Sequence, residues 1–64
     1  MNKKTLEDAY TFLENAGHTI HTHGNYIYVV YESLSKMIKD SVNIQRLGYI
    51  TVHDMFVYRL FIST

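Results

Sequence analysis

The chain has 64 residues, with six basic and six acidic side chains, four histidines, no cysteine and no proline. That length holds one small domain and no second, and the missing cysteines exclude disulfides, thiol catalysis and Cys-based zinc cages. A formal net charge of zero argues against a polyanion as principal ligand, because affinity for nucleic acid comes largely from clustered Lys and Arg.

Scaling relations give about 6,700 Å² of surface hidden on folding. The apolar part stabilises by roughly 95 kcal/mol, against roughly 96 kcal/mol of conformational entropy. A lone copy is therefore marginal, and with disulfides excluded a metal or a partner chain is the expected reinforcement.

The first ten residues carry Lys3 and Lys4 with no apolar stretch behind them, which reads as neither a secretory signal nor a membrane anchor. The longest uncharged apolar runs, Tyr26 to Tyr31 and Met55 to Tyr58, fall far short of the ~18 residues a membrane helix needs. The expectation is a soluble, cytoplasmic protein with no membrane partner.

Thr5 is a candidate N-cap, with capping-box spacing to Asp8. Leu6, Ala9, Tyr10, Leu13 and Ala16 then recur at helical spacing, and Gly17 stands where a helix closes. From His18 to His23 the pattern alternates, His23-Gly24-Asn25 turns, and Tyr26 to Tyr31 is aromatic and β-branched, so this stretch reads as a hairpin. Ser33 caps a second helix whose stripe is Leu34, Met37, Ile38, Ser41 and Val42, running to about Ile44. After Gly48 the alternation returns in Tyr49 to Val52, with a turn near His53-Asp54 and a strand from Met55 to Ile62.

The fold class is thus α+β, in the order α-β-β-α-β-β, with a four-stranded, mostly antiparallel sheet and two helices packed on one face. The halves resemble each other. Gly17 and Gly48 each close a helix, and Asn25 to Tyr31 lies over Met55 to Phe61 with Tyr28 matched to Tyr58, as an αββ unit repeated twice would give.

Alternation sorts the sheet. One face takes Ile20, Ile27, Val29, Tyr31, Ile50 and Val52 with Phe56, Tyr58, Leu60 and Ile62, and the helices are expected there. The other takes His21, His23, Tyr26, Tyr28 and Val30 with Tyr49, Thr51, Val57, Arg59 and Phe61. Two helices cover only one of two apolar faces, and exposed apolar patches mark contact sites. Tyr26, Tyr28, Tyr49, Val57, Arg59 and Phe61 are therefore the candidate partner-binding residues, being largely of the types enriched at interface centres. The Met55 to Ile62 strand carries one charge, Arg59, which is poor protection for an edge.

His21 and His23 stand on one side of a strand, and with His53 and Asp54 they are the candidate ligands of a zinc or nickel site. No glycine-rich phosphate loop and no nucleophile elbow occur, so no catalytic residue and no cofactor is assigned. Phe12-Leu-Glu-Asn-Ala-Gly17, followed by a strand, Gly24 and a second strand, resembles over the first half of the chain the opening of HicA-type small RNase toxins. That resemblance implies a catalytic His close behind a Gly in a basic, RNA-binding fold. Here Asn25 and Tyr26 follow Gly24, and no catalytic residue carries across.

The leading expectation is a noncatalytic interaction protein that docks its aromatic face, or the Met55 to Ile62 edge, on a protein target and itself pairs as a homodimer. Four Asn, four Lys, six Ile and six Tyr lean toward AT-rich coding DNA and a small inhibitor or regulator of the phage-encoded kind. The alternatives are a nucleic-acid regulator or RNase touching phosphate through Lys36, Lys39 and Arg46, with His21 or His23 in the ribonuclease, and a His-based metal domain.

Overall fold

The computed structural model describes residues 5–64; Lys3 and Lys4, on which the leader expectation rests, lie outside them. Helix α1 (Glu7–Asn15) leads to β1 (His21–His23) and β2 (Tyr26–Val30), and helix α2 (Leu34–Arg46) leads to β3 (Ile50–Asp54) and β4 (Arg59–Ser63). The sheet is wholly antiparallel in the order β1-β2-β4-β3. The expected α+β class and element order are those observed.

Both helices end the same way. Gly17 takes φ 87°, its N–H donates to the Glu14 carbonyl at 3.0 Å, and His18 N–H donates to Leu13 at 3.1 Å. Gly48 takes φ 98°, with Gly48 N–H on Gln45 at 2.9 Å and Tyr49 N–H on Ile44 at 3.5 Å. This left-handed closure satisfies carbonyls the helix leaves open, and glycine adopts it without the Cβ penalty. The starts differ. Ser33 Oγ accepts the Lys36 N–H at 3.4 Å, whereas Leu6, without a side-chain bond, stands at the α1 cap. Thr5 Oγ1 accepts the Glu7 N–H at 3.4 Å, so the expected capping box from Thr5 to Asp8 does not form.

The halves do repeat, at a different offset. A shift of 31 residues (from 17 to 48) carries α1 closure onto α2 closure and β1 onto β3. The first hairpin turns through Gly24 and Asn25 between paired His23 and Tyr26, and the second through Met55 to Tyr58 between paired Asp54 and Arg59. The longer loop moves β2 onto β4 by 33 (from 26 to 59). Tyr28 therefore corresponds to Phe61, its neighbour across the centre of the sheet, and Tyr58 belongs to the turn.

The core lies between the helices and one sheet face. Ala9 and Leu13 of α1, Met37 and Ile44 of α2, and Ile27, Val29, Leu60 and Ile62 of the sheet are buried in one cluster with Tyr31 and Tyr49. Leu13 and Ile44, equivalent under the 31-residue shift, are both fully buried.

Three sequence expectations are corrected. Tyr49 is buried and its hydroxyl donates to the Thr5 carbonyl at 2.6 Å; by alternation Ile50 and Val52 turn outward, while Thr51 and His53 face α2. Under the helix Thr51 and His53 are satisfied by Ser41 and Gln45, which removes the cost of burying polar groups there. Second, Met55 to Tyr58 is a turn. Phe56 is 99% exposed, Val57 is exposed, and Asp54 Oδ1 accepts the Phe56 N–H at 3.0 Å. Third, β4 is interior, paired on both sides, so the edges are β1 and β3 and the Met55 to Ile62 segment supplies none.

Candidate functional site

Strand pairing arranges the uncovered face in rows across the sheet. His23, Tyr26, Ser63 and Ile50 form one row, His21, Tyr28, Phe61 and Val52 the next, and Val30, Arg59 and Asp54 the third. Cross-strand neighbours on one face stand close enough for rings to touch. His21 stacks on Tyr28 at 4.9 Å and His23 on Tyr26 at 5.2 Å. Phe61 meets Tyr26 at 5.7 Å and Tyr28 at 5.4 Å between centroids, in the tilted and edge-on arrangements that ring quadrupoles favour.

Arg59 lies over this cluster, 5.9 Å from the Tyr28 centroid and 5.6 Å from that of Phe61. Its Nη2 donates to Asp54 Oδ2 at 3.0 Å. The Phe56 backbone N–H and the Arg59 side chain together hold the Asp54 carboxyl below its usual range, since both favour the charged form. Among the described residues, the one Lys or Arg of this face is therefore already paired. Ile50 and Val52 continue the surface toward β3, 58% and 59% exposed, and Asn25, Tyr26, Val52, Phe61 and Ser63 line a shallow groove across it.

Of the six candidate partner-binding residues, Tyr26, Tyr28, Arg59 and Phe61 lie together on this face, Val57 is exposed in the turn, and Tyr49 is in the core. The four candidate metal ligands do not converge. His21 and His23 are exposed on edge strand β1 and stack on tyrosines, whereas β3 is the opposite edge, where His53 Nε2 lies 2.9 Å from Ser41 Oγ and Asp54 is paired with Arg59. Among the described residues no group of three His, Asp or Glu side chains could hold a metal ion.

Two polar clusters escaped the sequence reading. Asp40 Oδ2 accepts the Tyr31 hydroxyl at 2.7 Å and lies 3.0 Å from His18 Nε2, with the His18 and Tyr31 rings 4.7 Å apart. Burial, then the Asp40 carboxylate, push the Tyr31 hydroxyl above its ordinary pKa. This clamp ties the α1 closure, the end of β2 and the middle of α2. No spacing along the chain announces it, because the partners meet only after the sheet forms. The second cluster joins Ser41 to Thr51 at 3.0 Å, His53 at 2.9 Å and Gln45 at 3.2 Å. Its signal was Ser41, a hydroxyl inside an apolar stripe. A Ser–His contact can make a nucleophile, but Ser41 is buried and its hydroxyl is shared among three partners.

Lys36, Lys39 and Arg46 are exposed on α2, which packs against the other side of the sheet. The aromatic surface and these cations thus face opposite ways. No family model matches the chain, and no curated protein or solved structure matches it significantly. Among the described residues no helix is long and apolar enough to cross a membrane.

Proposed function

We propose that this chain is a noncatalytic interaction module that docks the open face of its sheet, centred on Tyr26, Tyr28 and Phe61, on a target protein. The observation that carries the reading is the ring cluster itself: three half-buried aromatic side chains touch across adjacent strands on the sheet face opposite the helix-packed core. Rigid aromatic rings bury large area at small entropic cost, the property of interface anchors. The self-paired Arg59 leaves the face without net charge, which suits a neutral protein surface better than phosphate. A nucleic-acid ligand needs aromatic groups and free cations on one surface; here Arg59 is tied to Asp54, and Lys36, Lys39 and Arg46 stand on α2, on the opposite side.

Such a module acts by occupying a surface, as a small cytoplasmic inhibitor or regulator of the kind phage accessory genes encode would; the Asn, Lys, Ile and Tyr bias leans that way. The test is affinity capture from lysate of the source cell, comparing the wild type with a Tyr26→Ser, Tyr28→Ser double variant whose helical circular dichroism is intact. Loss of a captured protein in the variant supports the reading; capture unchanged by the double substitution overturns it.

A further inference from the structure

The two edges of the sheet are unlike. β1 has three residues, His-Thr-His, all exposed, and a short polar edge is a defended one. β3 has five residues, and Ile50 and Val52 stand exposed beside its unpaired side. Its one carboxylate, Asp54, lies at the strand's end and is tied to Arg59 of β4, leaving the Ile50 to Val52 stretch without a charge.

The helix above β3 has the same character. α2 buries Met37, Ser41 and Ile44, and Ser41 with Gln45 bonds Thr51 of β3, while Asp40 reaches the opposite way to His18 and Tyr31. Stepping 100° per residue, Leu34 and Ile38 fall on the β3 side of that contact line, away from α1, with Val42 just above. These three are 38–42% exposed and four residues apart, so they form one apolar stripe along the helix. One flank of the molecule therefore presents an open strand edge and an apolar helix stripe, one layer above the other.

We propose that this flank is the interface of a two-fold symmetric homodimer, in which β3 pairs antiparallel with β3 of a second copy and the two α2 helices pack side by side. A two-fold axis perpendicular to the sheet keeps all four helices on one face. In the register centred on Thr51, Ile50 of each copy stands opposite Val52 of the other, so four exposed apolar side chains close into one patch. A bound peptide strand would satisfy the edge and leave the Leu34–Ile38–Val42 stripe in water. A second copy covers both, because it carries the same two layers at the same separation.

Five strand residues span about 17 Å, and the strand and helix layers, about 10 Å apart, make the flank about 20 Å high. Two such flanks in contact cover roughly 700 Å² between them, the scale of a weak, concentration-dependent interface. The dimer leaves both aromatic faces open on the same side of a continuous eight-stranded sheet, so the inference stands independently of the proposed docking and adds bivalence to it.

Light scattering on a sizing column is expected to give twice the 7.5 kDa chain mass at high micromolar concentration. Ile38→Glu and Val52→Lys should each return it to the single mass with circular dichroism unchanged. Tyr28→Ser, at the centre of the open face, should leave the dimer intact. The register is read separately: the chain has no native cysteine, and paired Cα atoms in an antiparallel ladder lie within disulfide reach. Mild oxidation of Thr51→Cys should yield a covalent dimer, and of Val52→Cys far less. A wild type of single mass at 1 mM, a mass that grows past two copies, or a dimer that survives both flank changes but not Tyr28→Ser overturns the proposal.

Discussion

The two αββ halves share their helix closures and core positions and differ in what they show to the outside. The first ends in a two-residue turn and a three-residue polar edge strand. The second carries a four-residue apolar turn, a five-residue edge and an exposed helix stripe. Even their reciprocal reaches differ: after the α1 closure His18 approaches Asp40 of α2, and after the α2 closure Tyr49 reaches Thr5 ahead of α1. Core demands hold the halves alike, because each must fill the same layer, and the surface is where they diverge. Divergence toward exposed apolar groups costs solubility, a cost that the proposed contacts with another chain would offset.

The largest effect should come from breaking what the halves share. Leu13→Ala and Ile44→Ala remove equivalent, fully buried side chains, and each should cost about 2–5 kcal/mol in urea denaturation. Comparable losses support the repeat; a loss confined to one helix breaks it. Next, Asp40→Ala leaves the buried Tyr31 hydroxyl without its acceptor and should cost about 1–3 kcal/mol. Tyr49→Phe, in the corresponding reach, should cost about 1 kcal/mol. Gly17→Ala meets no neighbouring atom within 4 Å, so only the left-handed backbone resists it, at about 1–2 kcal/mol.

Acid and alkali should separate the halves. The Asp54 carboxyl is held below its ordinary range by the Phe56 N–H and Arg59, so its contribution is complete above the unfolded value near 4. It is lost as pH falls through the lower folded value. Asp54→Asn should flatten the acid limb of a stability–pH curve. Tyr31 is shifted upward by burial and Asp40, so its contribution is complete below about pH 10, the unfolded value, and is lost as the solution becomes more alkaline. Tyr31→Phe should flatten that limb instead. Smallest of all, Phe56→Ser, at a side chain 99% exposed, should change stability by less than about 0.5 kcal/mol, and a larger loss would show that the Phe56 ring packs on something.

Much of the fold was legible because its signals are local. Helical spacing, the Ser33 cap and the closing glycines each act within a few residues, and they led to the observed element order. The face of β3 was not legible, because hydrophobicity points Ile50 and Val52 inward while the burial of Tyr49, decided by its reach to Thr5 across the fold, points them outward. The strand read from Met55 failed for a related reason: an apolar sequence usually seeks a core, and here Asp54 fixes it in a turn. Tyr26, Tyr28, Arg59 and Phe61 were legible as one face because β2 and β4 alternate without interruption. The Asp40 and Ser41 clusters join residues far apart in the chain, and no periodicity encodes them.

The most direct test is the relaxation of aromatic ring protons by a soluble paramagnetic probe, measured on the dilute protein alone. Tyr26, Tyr28 and Phe61 should relax strongly while Tyr31 and Tyr49 remain shielded. Open-face rings as protected as those of Tyr31 and Tyr49 would mean that the chain covers its own surface, and the docking role would fall with it.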